Sequence, residues 1–171
     1  MPNRATRIVG GQETEVNEYP WQVGLVSASG RVPWCGGSLI SDRHVLTAAH
    51  CTAGGSTSSI RVLLGEHDTT DSVADIRTIS AITDHPSYTG SSSLDYDYSI
   101  LTLSSPVTFS KQMAPVCLPA DTSLLYTGQV ATVTGWGTTS SGGSLSPRLL
   151  EVDVTVTSNA QCSNSYSGIN E

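Results

Sequence analysis

Apolar and polar residues alternate along this chain in short runs, and clusters of turn-forming residues separate the runs. Runs of this kind occupy 22–26, 37–40, 45–49, 60–65, 77–83, 99–103, 129–136 and 149–156. Alternation rich in Val, Ile and Thr predicts half-buried antiparallel strands, because successive side chains of a strand point to opposite faces. Segments such as Ala53-Gly54-Gly55-Ser56 and Ser140-Ser141-Gly142-Gly143-Ser144 supply the turns. No long window carries a 3.6-residue apolar period. The one predicted helix spans 158–165, with Ser158 or Asn159 as its cap. These elements predict an all-β barrel or sandwich. Residues 111–128, with Pro115 and Pro119, read as a connector that leads into a second unit.

Composition narrows the function classes. The 171 residues suit one ordinary domain or two very small ones. Only 13% are charged, and Ser, Thr and 16 Gly carry the polarity instead. Net charge is −7 and Lys111 is the only lysine, so no basic run exists to drive counterion-release binding to nucleic acid. No apolar stretch approaches the roughly 20 residues that span a bilayer. Residues 1–7 lack the apolar core of a signal peptide, so any secretion must be directed by sequence outside these residues. Cys35, Cys51, Cys117 and Cys162 show no metal-ligand spacing. Four cysteines allow three pairings, and four reduced thiols in a cytosolic protein are the plain alternative.

Three segments carry chemistry. They are Arg7-Ile8-Val9-Gly10-Gly11; Trp34-Cys35-Gly36-Gly37-Ser38-Leu39-Ile40 with Thr47-Ala48-Ala49-His50-Cys51; and Asp97-Tyr98-Ser99-Ile100-Leu101. Together they resemble the chymotrypsin/trypsin-like serine proteases. Tyr19-Pro20-Trp21-Gln22-Val23, Pro115-Val116-Cys117-Leu118-Pro119 and Thr134-Gly135-Trp136-Gly137 extend the resemblance from Arg7 to about Gly168. It implies a double Greek-key β-barrel fold and a serine-type endopeptidase of the secreted zymogen kind, with a protein or peptide substrate and no cofactor. His50 would be the general base and acid, and Asp97 would fix its tautomer and stabilise the imidazolium. Asp95 is a rival carboxylate two residues away, on the same side of an extended segment. The apolar strand after Asp97 follows at the family's spacing. An upstream activating protease would cut between Arg7 and Ile8. A Cys35–Cys51 disulfide would pin the loop beside the histidine, worth about 3 kcal/mol for a loop of that size.

The family's nucleophile string, Gly-Asp-Ser-Gly-Gly-Pro, does not occur in these residues. The resemblance therefore implies that the attacking serine, the oxyanion hole and the floor of the specificity pocket lie beyond Glu171. The expected organisation is the end of an activation segment at 1–7, a complete first barrel at 8–110, a connector at 111–128 and a partial second barrel at 129–171. Cys162 would pair with a downstream cysteine. Cys117 would pair with an upstream regulatory module. The chain by itself is expected to be inactive, with unpaired strand edges that favour aggregation. A catalytically inactive homologue, acting as a binding or regulatory cofactor, is the competing class. The remaining histidines, His44, His67 and His85, are expected to be solvated loop residues. Glu66, Asp68, Asp71 and Asp75 lie where some family members hold calcium, but their spacing departs from that pattern, and a solvated acidic loop is the expected reading.

Overall fold

A computed structural model describes residues 11–71, 75–90, 95–139 and 142–166. Among the described residues, nine strands and two short helical turns follow in the order β1 (Gln12–Glu13), β2 (Gln22–Ser27), β3 (Cys35–Leu39), β4 (His44–Thr47), α1 (Ala49–Thr52), β5 (Ile60–Leu64), β6 (Asp75–Asp84), β7 (Ser99–Leu103), β8 (Val130–Gly135), β9 (Leu150–Thr155) and α2 (Asn159–Cys162). Strands β2-β3-β4-β7-β6-β5 close into an antiparallel barrel, while β1-β9-β8 form a separate three-stranded sheet. Among the described residues no helix is long and apolar enough to cross a membrane.

Period-two patterning builds the barrel. In β7, Ser99, Leu101 and Leu103 are buried and the residues between them are not. Leu101 and Leu103 meet Val23, Leu25, Leu39, Val45, Val62 and Leu64 in one apolar core. Closure removes the free edges that an open six-stranded sheet would expose. Gly37 permits the close approach of β3 to β4, since a Cβ there would lie 2.8 Å from the Leu46 carbonyl oxygen. The register of β6 on β7 shifts between Ile79 and Ala81, a bulge that bends the longest strand around the barrel.

Differences from the sequence reading fall at element ends. The run at 45–49 is one strand plus the start of α1, because β4 stops at Thr47 and Ala49 opens a helical turn. The helix predicted over 158–165 is a single capped turn. Ser158 Oγ accepts the Gln161 amide, and Gln161 reaches back to the Ser158 amide. β1 was not foreseen. The span expected for the first barrel, 8–110, contains this strand, yet Gln12 and Glu13 pair with Glu151 and Leu150 of β9. Between Leu103 and Val130 there is neither strand nor helix. The first part of that stretch is tied to the barrel by Ala114 N–H to Pro20 O and by Val116 N–H to Leu39 O.

The sheet packs on the barrel through a small set of polar links. Thr134 Oγ1 donates to Gln22 Oε1 at 2.6 Å. The His67 carbonyl accepts both the Trp136 indole N–H and the Leu149 amide. His67 is therefore a joint between the two halves rather than a solvated loop residue. Its Nε2 lies 3.2 Å from Glu13 Oε1 and its Nδ1 3.4 Å from Thr14 Oγ1. Arg148 also grips Glu13, and holds it well below the usual carboxylate range.

Candidate active site

His50 sits in α1, a turn too short to hold itself in place. Helix N-termini leave backbone N–H groups without partners, and a capping side chain normally accepts one of them. Ala48 is the capping residue here and has no side chain able to accept. Asp97, 47 residues away, does so instead: its Oδ1 accepts the His50 backbone N–H at 2.7 Å. The second oxygen of the same carboxylate accepts from His50 Nδ1 at 2.6 Å. One carboxylate thus fixes both the backbone and the ring of the histidine. With Asp97 ionised, the ring proton must reside on Nδ1, which leaves the Nε2 lone pair free to accept.

The surroundings suit a base that works at a surface. The His50 side chain is 53% exposed, and that of Asp97 is 17% exposed. Between Asp97 and Asp95, the carboxylate on the imidazole is that of Asp97. His50 Nε2 lies 3.4 Å from Cys51 Sγ, but this sulfur is bonded to Cys35 and has no proton to give. For the same reason the cluster of Cys35, His50 and Cys51 is not a metal centre, since neither sulfur is a thiolate. The Cys35–Cys51 disulfide ties α1 to β3, with a Cα–Cα distance of 6.3 Å. An apolar cleft of about 300 Å³ adjoins Cys35, between residues 33–36 and 133–137.

Two residues support the pair: Thr52, which the sequence reading did not single out, and His85, which it assigned to a solvated loop. Thr52, one position past Cys51, is buried and donates to Asp84 Oδ1 at 2.5 Å. His85 stacks on Tyr96 and packs against Tyr98, the two neighbours of Asp97. The sequence Tyr96-Asp97-Tyr98 places an aromatic ring on either side of the carboxylate. That was the available signal. Tyr88 lies near the same corner, where burial and then the charges of Asp97 and Asp84 push its phenol up.

Other candidates are placed as follows. His44 opens β4 and pairs with Ser41 Oγ at 2.8 Å on an exposed turn. Glu66, Asp68, Asp71 and Asp75 line one cleft of about 230 Å³. Asp75 is held by Arg77, Asp68 by Thr70 and Arg148, and Glu66 accepts the His67 amide, so three of the four are already engaged. Burial, ahead of the charge of Asp71, raises Glu66 above the usual carboxylate value. Among the described residues these oxygens do not converge into a ligand set of the kind calcium requires. Cys117 is a free, exposed thiol; Cys162 is free and half-buried. Arg7 and Ile8 lie outside the described residues.

Comparison with known proteins decides the family. The sequence pattern described as "Trypsin" matches residues 8–171. The chain belongs to the trypsin family. Within that family it is 36% identical over 169 residues to serine proteinase stubble of Drosophila melanogaster, covering 94% of this chain and 21% of that protein. To trypsin alpha-4 of Lucilia cuprina it is 35% identical over 168 residues, covering 98% of this chain and 64% of the other. Trypsin 5G1 of Aedes aegypti is 37% identical over 161 residues, with 94% and 59% covered. The fold matches that of neuropsin, a serine protease expressed in mouse brain, with a TM-score of 0.85 at 28% identity. That match covers 96% of this chain and 71% of neuropsin. The trypsin-family chain thus spans less than two thirds of the length of each of these three sequence relatives.

Proposed function

We propose that this chain carries the proton-transfer half of a trypsin-like serine endopeptidase. His50 acts as general base and then general acid, and Asp97 orients it and stabilises its imidazolium. The observation that carries this reading is the 2.6 Å contact from His50 Nδ1 to Asp97 Oδ2, with Nε2 left on an exposed side chain. In such a site Nε2 takes the proton of a serine hydroxyl as that oxygen attacks the peptide carbonyl. It then returns the proton to the departing amine. The serine lies outside these 171 residues, which contain no Gly-Asp-Ser-Gly-Gly-Pro.

The rest of the proposal follows the family. Protein or peptide chains are the substrates, and no cofactor takes part. An upstream protease cuts between Arg7 and Ile8 and converts a zymogen. The protein works outside the cell, where the Cys35–Cys51 disulfide persists. The exposed Cys117 thiol links the domain to an upstream regulatory module.

The test compares the 171-residue chain with a longer product of the same gene, cut after Arg7, on a small ester and a peptide amide. The short chain is expected to turn over neither. The longer product is expected to cleave both and to lose at least about 10³-fold in kcat on His50→Ala. Turnover by the short chain that survives His50→Ala would overturn the proposal. A longer product with glycine in place of the serine, and no turnover, would assign the chain to the inactive homologues.

A further inference from the structure

Asp97 follows an unfavourable piece of backbone, and its two bonds to His50 are not the only contacts that bear on that segment. Tyr96 has φ of +57°, in the left-handed region that bulky residues avoid. The Tyr98 amide donates to the Tyr96 carbonyl at 2.8 Å, which closes a three-residue turn with Asp97 at its centre. Strained residues persist where their surroundings over-determine them. Among the described residues, one side chain packs on both neighbours of Asp97. The His85 ring lies parallel to Tyr96, with centroids 4.7 Å apart and planes 8° apart. It also packs against Tyr98 at 4.6 Å and 49°.

His85 is itself well anchored. Its amide donates to the Tyr98 carbonyl at 3.1 Å, and its Nδ1 accepts the Ser87 amide at 3.2 Å. It follows Asp84, the last residue of β6, which Thr52 of α1 bonds and which pairs with Ser99 of β7. The imidazole therefore touches both neighbours of Asp97 from a strand end that is tied to the helical turn of His50. Both tyrosines are about half exposed, 53% for Tyr96 and 46% for Tyr98, so burial alone does not fix them.

We infer that His85 is a positioning residue: by clamping Tyr96 and Tyr98 it holds the Asp97 carboxylate in register with His50. The inference rests on the proposed catalytic role of that pair, but it makes a separate physical claim. Stacking by a flat ring at position 85, rather than its charge or its acceptor nitrogen, keeps the Asp97 turn closed.

The test uses the 171-residue chain and proton NMR of histidine-labelled protein. A proton in a 2.6 Å Nδ1–H···carboxylate bond resonates far downfield, and its exchange with water reports how often the bond opens. His85→Asn removes the ring while leaving an acceptor for Ser87. It should speed that exchange about tenfold, the scale that loss of an aromatic stack can set. His85→Phe, which keeps the ring and loses the acceptor, should exchange like the parent. Tyr96→Leu should behave like His85→Asn, and covers the case in which the asparagine variant fails to fold. Unchanged exchange in His85→Asn and Tyr96→Leu overturns the inference. So does equal acceleration in the phenylalanine and asparagine variants. Asp97→Asn separates the two claims, since it should move the resonance upfield; a resonance that stays put means that the His50–Asp97 pairing itself is wrong.

Discussion

Thr52 Oγ1 donates to Asp84 Oδ1 at 2.5 Å, and so ties the helical turn that carries His50 to the end of the strand that precedes His85. Thr52 is 1% exposed, so its loss leaves a carboxylate oxygen facing an apolar group. Thr52→Val keeps the shape and removes the donor. We expect it to destabilise the chain by about 2 kcal/mol, the usual cost of losing a hydrogen bond to a charged group. Urea denaturation of parent and variant checks this. Equal midpoints would mean that the bond adds nothing to the fold.

Removing the Cys35–Cys51 disulfide releases a loop with a sequence separation of 16. Cys35→Ser combined with Cys51→Ser should lower stability by about 3 kcal/mol, mainly by freeing the unfolded chain. The same loss should appear on adding reductant to the parent, and the double variant should not respond to reductant. Guanidinium denaturation with and without reductant reads both.

Tyr19 and Glu151 predict opposite pH limbs from one contact. The Tyr19 hydroxyl donates to Glu151, and this bond, followed by burial, pushes the phenol from 10.0 up to about 12. The stabilisation is complete below pH 10.0 and is lost as pH rises through about 12. The same bond, then that from Gln12, holds Glu151 below its ordinary 4.5. That contribution is present above pH 4.5 and is lost as pH falls through the lowered value. Tyr19→Phe should flatten both limbs of the stability profile. It should also remove one phenolate from the alkaline absorbance titration. A profile unchanged at either end would show that the contact does not form in solution.

The β8–β9 sheet turns an apolar face to water. Ala131, Val133, Val152 and Val154 share that face through the pairs Ala131–Val154 and Val133–Val152. Val133 is 45% exposed and Val154 is 42% exposed. Val133→Thr with Val154→Thr should change stability by no more than about 0.5 kcal/mol. It should clearly reduce binding of a hydrophobic dye and aggregation of the purified chain. Dye fluorescence and light scattering against concentration measure both.

The barrel was legible because its strands obey a period of two. Ser99, Leu101 and Leu103 face inward, and the sequence run 99–103 is the strand. His50 and Asp97 were legible for a different reason, the resemblance of the short segments around them to a known family. What escaped reading was long-range. β1 is two polar residues whose pairing depends on β9, and no local pattern marks it. The end of β4 was overrun because Ala48 and Ala49 fit a strand as well as a turn. The capping of the His50 amide by Asp97, a contact 47 residues distant in sequence, favours the turn. His67 and His85 look like ordinary loop residues until the fold brings Glu13 to one and two tyrosine rings to the other.

The pairing of β1 with β9 has a consequence for the order in which the molecule is assembled. Gln12 is synthesised before the residue whose side chain it bonds, Glu151, which comes 139 positions later. During translation the six barrel strands can close on one another long before that partner exists. β1 then waits for β9 and settles beside it after the barrel has closed.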